Sequence, residues 1–241
     1  MRILNLGCGS KASSSPDVVN IDWSIALRLK QSRLLRPLVP LWARGDRLQR
    51  FNALPDNLLC HNLAHGIPFP SESVDAVYHS HFLEHLDPRA ARQFLLDVKR
   101  VLKPGGIQRV VVPDLEKLCR AYVAHCDRCA DPREAAEHEP YIAAFIEQCV
   151  RREASGSSQQ PRFKRRVENF LLGDARGRGE IHLWMYDRIN LGNLLTGLGF
   201  RNPVRHTFQT SQIPDWPRYG LEVDADGHEF RPESLYLEVR K

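Results

Sequence analysis

The sequence predicts a doubly wound α/β fold, and three observations carry that expectation. Short apolar runs alternate with stretches of helical period. The first run, Ile3-Leu4-Asn5-Leu6, breaks into Gly7-Cys8-Gly9, two glycines one residue apart. Polar side chains gather just past the ends of later runs, at the sheet edge where such folds bind ligands.

With 241 residues the chain is long enough for one sizeable α/β core with an insertion and too short for two full domains of ordinary size. It is read as a single domain over 1–241 carrying a basic and apolar insertion at 25–50 and a helical insertion at 115–180. Charged residues at 26% and hydrophobic residues at 42% exclude disorder throughout. A formal charge of +5 favours anionic partners slightly without demanding nucleic acid. No run approaches the ~18 apolar residues of a membrane span, and the N-terminus leads into a strand, not a signal peptide. Six cysteines spread over predicted strands and helices read as reduced thiols, so the expected location is cytoplasmic.

Taken in order, the first strand ends at Gly7 and Gly9, where only glycine tolerates positive φ freely and lets backbone amides touch a ligand. Val18-Val19-Asn20-Ile21 is the second strand and places Asp22 where a carboxylate would meet a ribose; a solvated loop acid or a cap is the alternative. The segment 25–50 mixes leucines with Arg28, Arg33, Arg36 and Arg44. It reads as two short helices packed on the sheet, since Pro37 and Pro40 break any continuous face, with a membrane-surface helix pair as the alternative. Leu58 to His61 leads to Asn62-Leu63. Residues 75–80 form the fourth strand, with His81, Glu84 and His85 just past it.

Asp87-Pro88 then starts a helix whose Ala91, Leu95, Val98 and Leu102 recur at helical spacing up to the Pro104-Gly105-Gly106 turn. The fifth strand spans 108–112, and Asp114 caps a helix with Leu115, Leu118, Cys119 and Tyr122 on its buried face. Helical patches at 141–150 and 167–172 flank a polar linker at 154–161, an arrangement suited to a lid. Asp187 caps a last helix ending at Gly199, and strands around 204–208 and 235–239 complete the chain.

This series, with Gly-x-Gly after strand one, Leu83-Glu84-His85 after strand four and Leu102-Lys103-Pro104-Gly105-Gly106 before strand five, resembles the class I S-adenosylmethionine-dependent methyltransferases. The resemblance covers 1–114 and resumes at the C-terminal strands. It implies a Rossmann-like seven-stranded sheet, mostly parallel with an antiparallel C-terminal strand. It also implies S-adenosylmethionine as cofactor and methyl transfer by in-line displacement to a small or soluble acceptor, an anionic one suiting the charge. One departure is Asn5, where such enzymes often carry an acid two residues before the first glycine. The donor-binding set so implied is Gly7, Gly9, Asp22, Asn62, Leu63 and Ser80. Asp22 would accept from the ribose, Asn62 would bond the adenine edge and Ser80 would line the amino-acid end.

The base candidates are His81, His85 and His182, each balanced against a structural role. Glu180, His182, Trp184 and Tyr186 alternate polar and aromatic residues after the lid, a string suited to lining an acceptor pocket or to packing the insertion on the core. Cys119, His125, Cys126 and Cys129 contain a Cys-x-x-Cys but no second pair to complete four zinc ligands, so no metal is assigned. Arginines at 151–152 and 162–166 form a basic cluster without a recognised RNA-binding motif. Two other functions share these features. A nicotinamide-dependent oxidoreductase would use the same sheet, but the full Gly-x-Gly-x-x-Gly is absent, and a non-catalytic donor-binding module would keep the pocket without turnover.

Overall fold

In the computed structural model the described residues are 1–9, 11–23, 25–42, 45–52, 57–149 and 181–241. The helical patch at 167–172, the linker at 154–161, the arginines at 151–152 and 162–166, and Glu180 lie outside them.

Seven strands form, the inner ones from apolar runs flanked by turns and the exposed edge strand β6 from a polar one: β1 (Ile3–Leu6), β2 (Val18–Asp22), β3 (Leu58–Cys60), β4 (Val74–Ser80), β5 (Leu102–Pro113), β6 (Arg201–His206) and β7 (Ser234–Arg240). They form one sheet in the order β3-β2-β1-β4-β5-β7-β6. The pairings from β3 through β5 are parallel, and β7 runs antiparallel to both β5 and β6. The expected antiparallel C-terminal strand is therefore β7, inserted between β5 and β6. The fifth strand starts earlier than the sequence predicts. Leu102 pairs with Val74 and Ile107 with Ala76, so residues 103–106 bulge out opposite Asp75.

The two faces are covered differently. On one face, α4 (Pro88–Val101) lays Ala91, Phe94, Leu95, Val98 and Val101 on the sheet at helical spacing. Its first turn is capped by Asp87, which accepts from Arg89 N and Ala90 N. Beside it, α8 (Arg188–Gly197) buries Leu191 and Leu195, and Asp187 and Asn190 close a reciprocal capping box at its start. Each such large apolar side chain, buried, contributes about 1.5–3 kcal/mol. On the other face, among the described residues, no α-helix covers the central strands, and the helix Ile25–Gln31 reaches only the β3 edge, through Leu27 on Leu58. The β6–β7 connection, residues 207–233, which includes one short 3-10 turn at Trp216–Tyr219, lays Ile213, Trp216, Tyr219 and Leu221 against Ile3, Ala76, Tyr78 and Val111.

Between β2 and β3 lie α1 (Ile25–Gln31), α2 (Val39–Trp42) and α3 (Asp46–Asn52). Leu27, Val39 and Phe51 are buried, whereas Leu34, Leu35 and Leu38 stay exposed beside the exposed Arg33 and Arg36. Between β5 and β6 come α5 (Leu115–Cys126), α6 (Pro132–Ala136) and α7 (Glu139–Cys149). Asp114 caps α5 through Lys117 N, as its position predicts. Among the described residues no helix is long and apolar enough to cross a membrane.

Candidate active site

The strand order reverses between β1 and β4, and the carboxyl ends of β1, β2 and β4 meet there. Gly7 and Gly9 both take positive φ, 64° and 52°, and turn the chain sharply out of β1. Among its described residues the crossover to β2 contains no helix. Buried amides pin it instead: Asn5 donates to Asn20 Oδ1 and to Lys11 O, and Asn20 exchanges bonds with the Ser13 backbone. This gives Asn5 its reason, because a carboxylate at that position has no proton to donate to either acceptor. Cys8, buried in the same turn, is an inert thiol: burial first, then the nearby Asp22, push it up to about 12.

Asp22 ends β2, and its Oδ2 accepts from Gly9 N at 2.7 Å, tying the glycine turn to the neighbouring strand. A cavity of about 130 Å³ opens here. Its floor is Gly7, Gly9, Ser80 and His81, and its roof is Phe230 and Arg231 from the β6–β7 connection. Lys11 fixes the roof, donating from Nζ to Val223 O and lying 4.7 Å over the Phe230 ring. Gly7, Gly9, Ser80 and His81 thus come together, with Asp22 one bond behind the turn. Asn62 and Leu63 stand two strands out, past β3: Asn62 Oδ1 caps a short turn through Ala64 N, and Leu63 packs against the core. Sequence reasoning missed Lys11, Phe230 and Arg231, whose loop positions carry no motif.

His81 has a left-handed backbone, φ 49°, which turns its side chain back over the sheet edge. Ser234 Oγ donates to Arg231 O, so it accepts from His81 Nε2 at 2.8 Å, and His81 Nδ1 lies 3.3 Å from Glu84 Oε1. Glu84 is fully buried. Burial works to raise its carboxyl, but the imidazoles of His81 and His85 lower it more and hold it below the ordinary carboxylate value. Its backbone carbonyl accepts from Leu183 N and Trp184 N, which docks residues 181–187 beside the turn and brings His182 Nε2 to 4.0 Å from Glu84 Oε1. His85 and His182 pack edge-on, with ring centroids 5.0 Å apart. The three histidines therefore converge on one carboxylate.

A second cavity, about 440 Å³, lies at the carboxyl end of β5 under the insertion. Leu118, Ala121 and Tyr122 of α5 face Tyr141, Ala144 and Gln148 of α7 across it, with Asp114 and Met185 at its base. Of the alternating string, Glu180 lies outside the described residues, and His182, Trp184 and Tyr186 do not line this cavity. Tyr186 is buried in the core, Trp184 is half exposed, and Met185 between them faces the cavity. Nearby, Cys129 and His125 approach His138, while Cys126 is exposed. Arg128 sits 3.4 Å from His125 Nδ1, a cation where a metal would need a lone pair.

The family model described as a methyltransferase domain matches residues 41–110, from α2 through most of β5. Solved structures of similar fold include an S-adenosylmethionine-dependent methyltransferase from Methanosarcina mazei. It is 17% identical, with all of this chain and 92% of that one covered at a TM-score of 0.47. Another from Archaeoglobus fulgidus is 13% identical, covering all of this chain and 86% of that one at 0.45. A third, 1,6-didemethyltoxoflavin-N1-methyltransferase from Burkholderia thailandensis with bound S-adenosylhomocysteine, is 13% identical, covering all of this chain and 70% of that one at 0.42. No curated protein sequence matches the chain.

Proposed function

We infer that this chain is a class I S-adenosylmethionine-dependent methyltransferase, transferring a methyl group to an acceptor that remains to be identified. The observation that carries the reading is the cavity at the β1–β4 switch point, built from the Gly7-Cys8-Gly9 turn with Asp22 beside it and Ser80 and His81 opposite. The methyltransferase-domain match over 41–110 supports it.

The donor's adenosine end would run from the Gly9 turn past Asp22 toward Asn62 and Leu63, and its amino-acid end toward Ser80. Small-ligand pockets measure about 300–1,000 Å³, so a cavity of about 130 Å³ has to open at the Phe230–Arg231 roof to admit it. The acceptor is a small or soluble molecule, and the largely apolar cavity under α5 and α7 is the place for it. In-line displacement asks chiefly for alignment and exclusion of water, which a roof and an insertion supply. The three histidines act together through Glu84. His81 alone lines the donor cavity, and its Nε2 proton is held by Ser234. Six free thiols support a reducing, cytoplasmic setting. A contact with a membrane surface would fall on exposed Leu34, Leu35 and Leu38.

Calorimetric titration with S-adenosylmethionine, S-adenosylhomocysteine and NAD tests the reading. The sulfonium and its product should bind, and at about 100 times the dissociation constant each should stabilise the fold by ~2.7 kcal/mol. Asp22→Ala should abolish that binding. Asp22→Asn, which keeps an acceptor for Gly9 N, separates loss of the carboxylate from loss of the turn. A response to NAD with silence from the sulfonium pair would overturn the assignment.

A further inference from the structure

Glu84 poses a problem of its own. Its side chain is fully buried, and among the described residues neither carboxylate oxygen has a hydrogen-bond partner. A buried carboxylate in that condition is expected to be matched by something. The imidazoles around it approach without a well-formed hydrogen bond: His81 Nδ1 stands beside Oε1 at 3.3 Å but misses bonding geometry, and His182 Nε2 at 4.0 Å is too far.

The tautomers of the two rings behind it are fixed by the backbone. His85 Nδ1 lies 2.9 Å from Ile181 O, and His182 Nδ1 lies 2.6 Å from Gln148 O. A carbonyl oxygen only accepts, so each Nδ1 carries a proton and each neutral ring keeps its lone pair on Nε2. Imidazoles oriented by an Nδ1–H to carbonyl bond are the usual state of metal-ligating histidines, because that bond fixes the ring and raises the basicity of the other nitrogen. One ring nitrogen of each histidine and one Glu84 oxygen lie within 4.8 Å of one another. Ligands about 2 Å from a shared ion in tetrahedral geometry stand about 3.3 Å apart, so closing the triangle asks the ligand atoms to draw together by up to about 1.5 Å.

We propose that Glu84, His85 and His182 bind a divalent first-row transition ion, zinc or a neighbour in that series. Two imidazoles and a carboxylate suit those ions, whereas magnesium and calcium prefer all-oxygen shells. Three protein ligands leave a coordination position open. The site lies between His81, which lines the donor cavity, and Gln148, whose carbonyl holds His182 and whose side lines the larger cavity. The proposal rests on these side chains and does not depend on which donor the enzyme uses.

The test uses the full chain, stripped with chelator and titrated with Zn²⁺ by calorimetry and with Co²⁺ by visible absorption. One equivalent should bind, with the d–d bands of a low-coordinate cobalt centre. Glu84→Gln, His85→Gln and His182→Gln should each weaken it by about 100-fold or more. Cys129→Ser and His228→Ala, in the two other groups of metal-capable side chains, should leave it unchanged. Thermal unfolding of each variant reports folding, and three variants at three positions keep the test alive if one of them fails to fold. Absence of binding by the native chain, or binding lost in Cys129→Ser or His228→Ala and kept in the Glu84 set, would overturn the proposal.

Discussion

The two faces of the sheet solve the same problem with different chemistry. Under α4 and α8 the seam is apolar, with one neutral polar pair, His79 and Gln108, between β4 and β5. Under residues 207–233 it holds a fully buried Arg109 between Glu222 and Glu238. A helix satisfies its own backbone, and an irregular cover cannot. Arg109 makes up the difference. Its five N–H groups reach Glu222 twice, Glu238, Thr210 O and Thr207 O, so every donor is matched and two cover carbonyls are satisfied. Its guanidinium also lies 4.7 Å from the Trp216 ring centre. Charge is thus buried on the face whose central strands are covered without an α-helix, where it satisfies cover carbonyls that an α-helix would satisfy itself.

The largest expected effect comes from removing that charge. Arg109→Met leaves two buried carboxylates uncompensated, and should cost about 3–5 kcal/mol in urea unfolding. The same segment carries Phe230 and Arg231 over the cavity proposed to hold the donor, so donor affinity should fall with it. Arg109→Lys keeps the charge and loses the fork, and should fall between the two. A loss below about 1 kcal/mol in Arg109→Met would show instead that Trp216, Tyr219 and Leu221 hold the cover by apolar contact alone.

The helix-covered face should answer to pH. His79 is fully buried, and burial, only partly offset by Glu84, lowers its pKa to about 4. Gln108 Nε2 donates to His79 Nε2, which keeps the ring neutral. Unfolded, the ring takes a proton near its ordinary value of about 6.5. Between pH 6.5 and 4 the unfolded chain therefore binds a proton that the folded chain refuses. Stability is full above that window and is lost as pH falls through it, by about 3 kcal/mol at its end. His79→Gln should flatten this part of the curve of urea midpoint against pH, and an unchanged slope would remove His79 from the account.

Much of this architecture was legible in the sequence, because strand ends and helix starts are local. Gly7, Gly9, Asp87, Asp114 and Asp187 act where their neighbours alone place them. Arg109 and Glu238 carry only a faint signal: a charged residue inside each of two largely apolar runs, whose opposition in register emerges once β5 and β7 pair. The roof left none, since Phe230 and Arg231 reach β1 from the far end of the chain. Asn5 read as a departure from an acid, and only its register with Asn20 explains the amide. The convergence of His182 on Glu84 depends on docking of 181–187, which no spacing encodes.

The smallest effect sits where the helix-covered face touches the donor turn. Phe82 packs against that face, 5.0 Å from the Phe94 ring centre, and also lies against Gly7. A methyl group added at Gly7 would come within 3.0 Å of Phe82 Cε2 and closer still to Cδ2, at a backbone φ of 64°. At Gly9, with φ 52°, the same methyl meets nothing within 4 Å. Both alanine variants carry the backbone penalty, about 1–2 kcal/mol. Only Gly7→Ala adds a clash, because Phe82 cannot retreat without displacing Phe94, so it should be the less stable of the two by about a further 1 kcal/mol. Double replacement with Phe82→Leu should recover that difference and leave the backbone term. Equal losses at the two glycines would mean that the turn is set by φ alone, with the packed face playing no part in shaping the donor site.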